Sequence, residues 1–213
     1  MVDNIMTTHS QSHHINWQEL RKAYQVFMAD PAQGILHILA AGHHSRWQLW
    51  VMTRLRRQAQ LIVDKEVIVD LAVLHQLPAD TLGGAYARHM LAHGFTVDAF
   101  ADPERGTKFE RRLGIAHDVQ HIITGFDSSP VGEYGLAAFL LMQYGDLLNV
   151  FVLSWVPWSA IGNFRSIPKL VKSLARGFMG GWRSCPLVAY PFEDNWHKSI
   201  VDVRQELKVT LEE

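Results

Sequence analysis

Apolar side chains recur along this chain at spacings of three and four rather than two, the period of helices that bury one face. Asn16 is placed to cap a first helix carrying Leu20, Ala23, Tyr24, Val26 and Phe27. Asp30-Pro31 opens a second, closed by Gly42. His43 to Arg57 puts Trp47, Trp50, Val51 and Leu55 on one helical face. Asp64 to Leu77 alternates poorly as a strand, and its Leu-rich end favours helix. Leu77-Pro78 reads as a turn before a helix over Ala79–Leu91 that opens near Asp80. Asp98 to Asp102, followed by Pro103, reads as a break. Phe109 to Ile123 is a helix with Gly125 as its C-cap, and Ser129-Pro130 starts the next, which runs to Tyr144 before Gly145. Leu147 to Ile161 is the most apolar stretch, read as buried helix or cavity wall, with a membrane-dipping segment as the alternative. A helix over Ile167–Phe178, a turn at Gly180-Gly181 and an amphipathic helix over Trp196–Leu207 complete the chain. The predicted class is all-α: one domain of short, irregularly packed helices over residues 17–213, with an apolar ligand cavity, behind a flexible lead-in over residues 1–16.

Composition narrows the function. The chain has 213 residues, enough for one domain, and 48% are hydrophobic, which excludes wholesale disorder. Twenty basic against 21 acidic residues leave a net charge of -1, which argues against nucleic acid as a partner. The arginines Arg46, Arg54, Arg56 and Arg57 form a local basic face, suited to solvent or to an anionic lipid or phosphate. Cys185 is the only cysteine, so neither an internal disulfide nor a Cys-based zinc cluster can form. The apolar stretch is interrupted by Asn149 and Pro157 and falls short of the ~18 residues a membrane span needs. The first residues show neither a secretory h-region nor an Arg-rich transit pattern.

The chemistry-bearing segment is His117-Asp118-Val119-Gln120-His121, followed by Glu133. On a helix, residues four apart differ by about 40° in azimuth and residues three apart by about 60°. His117 and His121 therefore share a face with Asp118 at its flank, and the turn at Gly125 lets the next helix return Glu133 to it. Two imidazoles and two carboxylates suit a borderline or hard divalent metal, leaving zinc, iron, manganese and magnesium open. With 12 histidines in the chain, a lone HxxxH pair is close to chance, and the adjacent Asp118 makes the motif more specific. His89 and His93 form a second such pair without an acid, expected to be structural or solvent-facing unless one lines the site for proton transfer. His13-His14 and His43-His44 read as surface pairs. His117-Asp118 is also the dyad of HD-type phosphohydrolases. Those need a further His and Asp, for which His89 or His93 and Asp146 are the candidates. No phosphate-cradling glycine loop and no GxSxG occur.

The run HDVQHIITGFDSSPVGE resembles the metal-site signature of the Coq4 family, HDxxH, eleven residues, then Glu. Leu77-Pro-Ala-Asp-Thr-Leu-Gly-Gly-Ala-Tyr86 resembles the family's "LPxGTLGxxY", with Asp80 in place of the usual Gly. Gly180-Gly181-Trp182 through Pro186-Leu187 resembles the family's Gly-rich turn and Pro-Leu, and Trp196 with Val203 to Leu207 resembles its C-terminal tryptophan and "LRxxL" helix. His89 stands where an aromatic or apolar residue is expected. The resemblance spans roughly Leu77 to Leu207, and with no transit pattern ahead of it a bacterial member is expected. The resemblance implies a role in ubiquinone biosynthesis: loss of the C1 carboxylate of a polyprenylated hydroxybenzoate, in the oxidative version coupled to hydroxylation there. The alternative it carries is a non-catalytic prenyl-lipid binder that organises other quinone-biosynthesis enzymes. His117, Asp118, His121 and Glu133 carry over as metal ligands and catalytic residues, zinc being the metal the family favours. A homodimer, peripheral membrane contact and a place on the cytoplasmic face of a bacterial inner membrane are also implied.

Overall fold

The computed structural model describes residues 14–97 and 107–211. Most of the expected lead-in and the break at Asp98–Pro103 lie outside the described residues. The chain falls into two compact units, up to Trp50 and from Val51 onward. Among the described residues all regular elements are helical, and the one isolated bridge joins Thr81 to Ser199. The all-α expectation holds.

In the first unit, α1 (Trp17–Val26) begins where the Asn16 side chain accepts from the amides of Gln18 and Glu19. α2 (Pro31–Gly42) begins at Asp30, whose carboxylate accepts from Gln33. Glu19 joins the two helices by pairing with His37 at 2.6 Å. α3 (Arg46–Gln58) runs from this unit into the next.

The second unit contains α4 (Leu71–His75), α5 (Leu82–His93), α6 (Lys108–Thr124), α7 (Pro130–Tyr144), α8 (Leu147–Ser154), α9 (Val156–Gly162), α10 (Ile167–Arg183) and α11 (Ile200–Leu207). Its core gathers Val51, Leu55, Leu82, Tyr86, Met90, Phe109, Ile115, Val119, Leu136, Phe139, Val203 and their neighbours. The Leu-rich end of Asp64–Leu77 forms α4, as expected. The β-branched run Val67-Ile68-Val69 resists helix, and Asp70 caps the short one that follows. α5 opens at Thr81 rather than Asp80, because the Thr81 hydroxyl takes the amide of Gly84. The last helix starts at Ile200, not Trp196. Ser199 caps it, and Trp196 instead stacks on Tyr86 with ring centroids 5.3 Å apart.

Two expectations fail in an informative way. Gly180-Gly181 is not a turn but part of α10, which continues to Arg183. A Cβ at Gly177 would stand 2.2 Å from the carbonyl oxygen of Gly135, and one at Gly181 would stand 2.3 Å from that of Phe139. These glycines let α10 lie backbone-to-backbone on α7. The apolar stretch after Asp146 is buried only in its first half, at Leu147, Asn149 and Phe151; α9 buries no residue. The basic face of α3 is also partly structural. Arg54 donates to the carbonyls of Gln143 and Tyr144 at the end of α7, and Arg56 lies over the Phe109 ring.

Gly177→Ala weighs two effects against each other. Helix propensity favours alanine by roughly 1 kcal/mol, but the α7 backbone is too close to accept its methyl group. Sterics should win, with a net loss of about 1–3 kcal/mol. A urea midpoint equal to or above that of the wild type would show that α10 does not rest on α7 this closely.

Candidate metal centre

α6 carries three of the four expected residues and α7 the fourth, so the site depends on how one helix ends and the next begins. Gly125 ends α6 in the left-handed conformation at φ 68°, which glycine adopts at little cost. The carbonyls left over at this end are taken by cations. Arg204 donates to Ile122 and Ile123 at 2.9 and 2.8 Å, and Arg176 donates to Gly125 at 3.3 Å while lying over the Phe126 ring. The Asp127 carboxylate takes the amide and hydroxyl of Ser129, which in turn caps α7 through Gly132. A Cβ at Gly132 would stand 2.0 Å from the Asp127 carbonyl, so only glycine lets the first turn of α7 close on this loop. Glu133 is the next residue.

The outcome is a triangle. One ligand atom each from His117, His121 and Glu133 lie within 4.8 Å of one another. His121 Nε2 is 3.2 Å from Glu133 Oε1, and His117 Nε2 is 3.9 Å from Glu133 Oε2. His121 is buried, and its Nδ1 donates to the Phe126 carbonyl at 2.9 Å, which fixes the tautomer that leaves Nε2 toward the triangle. His117 and Glu133 keep side-chain exposures of 33% and 38%, so the centre has an open side. Asp118 is buried beside the triangle, its carboxylate 3.7 Å from His117 Nδ1. Two nitrogens and a carboxylate, with a second carboxylate alongside, match the charge and donor preferences of a divalent ion.

The other candidates separate. His43 and His44 are exposed, as expected of a surface pair. His93 is exposed, with Nδ1 donating to the His89 carbonyl. His89 is instead half-buried and stacked on His121, with centroids 5.9 Å apart. Asp146 is engaged as the N-cap of α8, accepting from the Asn149 amide and side chain, which leaves the HD-hydrolase arrangement without its downstream acid. Cys185 packs against the core. The Phe126 carbonyl was invisible to side-chain reasoning, and no sequence signal marks it.

Electrostatics follow the geometry. Burial pulls the His121 imidazole down, but the hydrogen bond and charge of Glu133 carry it above its ordinary value of 6.5. Burial raises Glu133, and His121 and His117 outweigh it, so the carboxyl titrates below its ordinary value. Burial and repulsion from His121 and His93 hold His89 below the usual imidazole range. The two shifts are of opposite sense, and each favours the charged form of its group. The His121 contribution to stability is complete below 6.5 and fades as pH rises through its raised folded value. The Glu133 contribution is present above the ordinary carboxyl value and fades as pH falls.

Fold and centre together define a helical protein with a two-histidine, one-carboxylate site at a helix–turn–helix corner. The profile of Coq4, described as coenzyme Q (ubiquinone) biosynthesis protein Coq4, matches residues 52–213. The chain is similar to the mitochondrial ubiquinone biosynthesis protein COQ4 homologues of Drosophila ananassae, 24% identical over 153 residues, and Drosophila erecta, 23% identical over 185 residues. These matches cover 67% and 80% of this chain, and 55% and 67% of the relatives' own lengths. A solved Nostoc punctiforme structure, provisionally named for ubiquinone biosynthesis, shares the fold at a TM-score of 0.74 and 24% identity, covering 92% of this chain and all of that one. The chain belongs to the Coq4 family of coenzyme Q (ubiquinone) biosynthesis proteins.

A metal entering this site must displace the His121 proton. Zinc binding is expected to release protons and to tighten as pH rises from 6.5 through the raised His121 value, by up to roughly tenfold per unit. Calorimetry in buffers of different ionisation enthalpy reads this directly, and buffer-independent heats with flat affinity would contradict it.

Proposed function

We propose that this protein removes the C1 carboxylate of a polyprenylated hydroxybenzoate in ubiquinone biosynthesis. The observation that carries the reading is the convergence of His117, His121 and Glu133 on one half-open centre, with Asp118 as its second negative charge. A divalent ion held there would supply Lewis-acid stabilisation of the charge that develops as CO2 leaves. His121, fixed by the Phe126 carbonyl, orients the centre, and Glu133 with Asp118 balances its charge. The exposed edges of His117 and Glu133 give the ring its approach. In simple decarboxylation the C1–carboxyl bond breaks, its electron pair stays on the ring, and a solvent proton replaces CO2. In the oxidative version the C1–carboxyl bond gives way to a C1–hydroxyl bond: one oxygen atom of dioxygen goes to C1 as CO2 leaves, and the other leaves as water with two electrons and two protons from an external reductant.

An exposed face on α9 and α10 bears on where the prenyl tail resides. Trp158, Ile161, Phe164 and Trp182 are 67–77% exposed. At about 100° per residue, Ile167, Val171, Phe178 and Trp182 share an arc of roughly 60° on α10. Leu170, Gly177 and Gly181 face inward, and Lys169, Lys172, Arg176 and Arg183 occupy a third arc. No acidic residue occurs between Asp146 and Glu193. Basic charge beside exposed aromatics suits an anionic bilayer surface. A second copy docked two-fold on the same face would set these cations against one another. No single described helix is long and apolar enough to cross a membrane, and α8–α9 meets the segment Phe164–Arg183 at a 115° bend. We therefore place the tail in a bilayer against this face, with the apolar cavity expected along Leu147–Ile161 serving only its ring-proximal part. Leu136, Phe139 and Leu140 of α7 are packed core. The same face also favours the second reading, a non-catalytic prenyl-lipid binder or scaffold.

Turnover separates the two. With protein of known metal content and a short-chain prenylated 4-hydroxybenzoate, CO2 release should require metal and fall at least a hundredfold in His121→Ala. Its dependence on dioxygen distinguishes the two chemistries. Binding without CO2 release in any metal form would favour the carrier. Separately, changing Trp158, Ile161 and Phe164 together to serine should abolish co-sedimentation with vesicles containing anionic lipid while leaving the melting temperature in place. Unchanged sedimentation would remove the membrane assignment of this face.

A further inference from the structure

His89 lies on α5, outside the ligand triangle, and nothing above gives it a task. Its Nε2 is buried and, among the described residues, has no hydrogen-bond partner. Buried polar nitrogens without partners are few in native structures, and each calls for a reason. The ring stacks on His121 at 5.9 Å with the planes 24° apart. His93 and Phe95 flank it at 4.6 and 5.8 Å. His93 does not serve as the partner: its Nδ1 donates to the His89 carbonyl, and no hydrogen bond reaches His89 Nε2 among the described residues. His117 meets His121 edge-on at 4.9 Å, so three imidazoles run in sequence from the open side of the centre to α5.

An unpartnered imidazole nitrogen beside a cation-binding centre is matched by a group that arrives with the ligand; in its N–H form it requires an acceptor. Such a group must accept a hydrogen bond, and next to a divalent site it will be anionic. A carboxylate has two oxygens, so it can be held at two points, one toward the His117–His121–Glu133 triangle and one toward a neighbouring N–H. We propose that His89 determines specificity: as its Nε2–H tautomer it donates to a carboxylate oxygen of the aromatic ligand and so selects a carboxylated ring over a bare phenol. This rests on the reading of the centre as a site for an aromatic carboxylate. The role does not require His89 to bind metal.

The test uses the zinc-loaded full chain as wild type, His89→Phe and His89→Gln. Phenylalanine keeps a ring against His121 and removes the donor, whereas glutamine loses the ring and retains an N–H near the same place. Zinc content and thermal melting are measured for each, then affinity for 4-hydroxybenzoate and for phenol by calorimetry. The expected result is one zinc per chain throughout. The phenylalanine variant should bind 4-hydroxybenzoate about tenfold more weakly with phenol unchanged, and glutamine should restore most of the difference. Equal 4-hydroxybenzoate affinity in wild type and His89→Phe, or equal losses for both ligands, would overturn the proposal and leave the carboxylate reading standing. Loss of zinc in His89→Phe would overturn it in favour of a further metal ligand. Wild type that fails to bind 4-hydroxybenzoate would remove the carboxylate reading, and this inference with it.

Discussion

The end of α6 is the constraint on which the rest of the site depends. A helix that stops leaves carbonyls without partners, and here they are taken by Arg204 and Arg176 from elements far along the chain. The same turn offers its Phe126 carbonyl to His121. One stretch of backbone thus terminates a helix, fixes an imidazole tautomer and sends the chain back as α7. Glu133 reaches the histidines because Asp127, Ser129 and Gly132 start α7 within a few residues of that stop. The donor geometry belongs to the turn as much as to the residues that would touch a metal.

This corner is braced from two sides. α10 lies on α7 through Gly177 and Gly181, so α7 has little freedom to swing Glu133 away. Arg112 of α6 is buried and makes a two-pronged pair with Glu193 at 2.8 Å, with Tyr190 and the Phe192 ring around it. A buried ion pair of this kind is weak evidence for net stability, but it is intolerant of displacement, because either charge alone in the core is strongly unfavourable. Its contribution is to fix where α6 lies against the C-terminal segment. The bracing surrounds the inner edge of the centre, and the side bearing His117 and Glu133 stays open.

Much of this was legible in the sequence, for identifiable reasons. Capping residues announce themselves locally, so Asn16, Asp30, Gly125, Ser129 and Gly145 each stand at the helix end they predicted. The spacing of His117 and His121 fixes a shared helical face, and the short Gly125–Ser129 connection leaves Glu133 little choice but to return to it. What escaped was set by tertiary contact. Gly180-Gly181 has the composition of a turn, and only the nearness of α7 makes it an interhelical surface. His89 read as structural or solvent-facing, with a place beside the site as the alternative, and nothing local decides between them, since it is the packing of α5 that stacks it on His121. The exposure of α9 was hidden for the same reason, because an apolar stretch reads alike whether it covers a core or faces outward.

His117, His121 and Glu133 are placed to hold a single divalent ion. X-ray absorption spectroscopy at the metal edge, on protein loaded with one equivalent of zinc, tests it most directly. One ion per chain is expected, coordinated by two imidazole nitrogens and carboxylate oxygen, with one imidazole fewer in His117→Ala. A shell of oxygen alone, or one that keeps both imidazoles after that substitution, would place the metal elsewhere and contradict it.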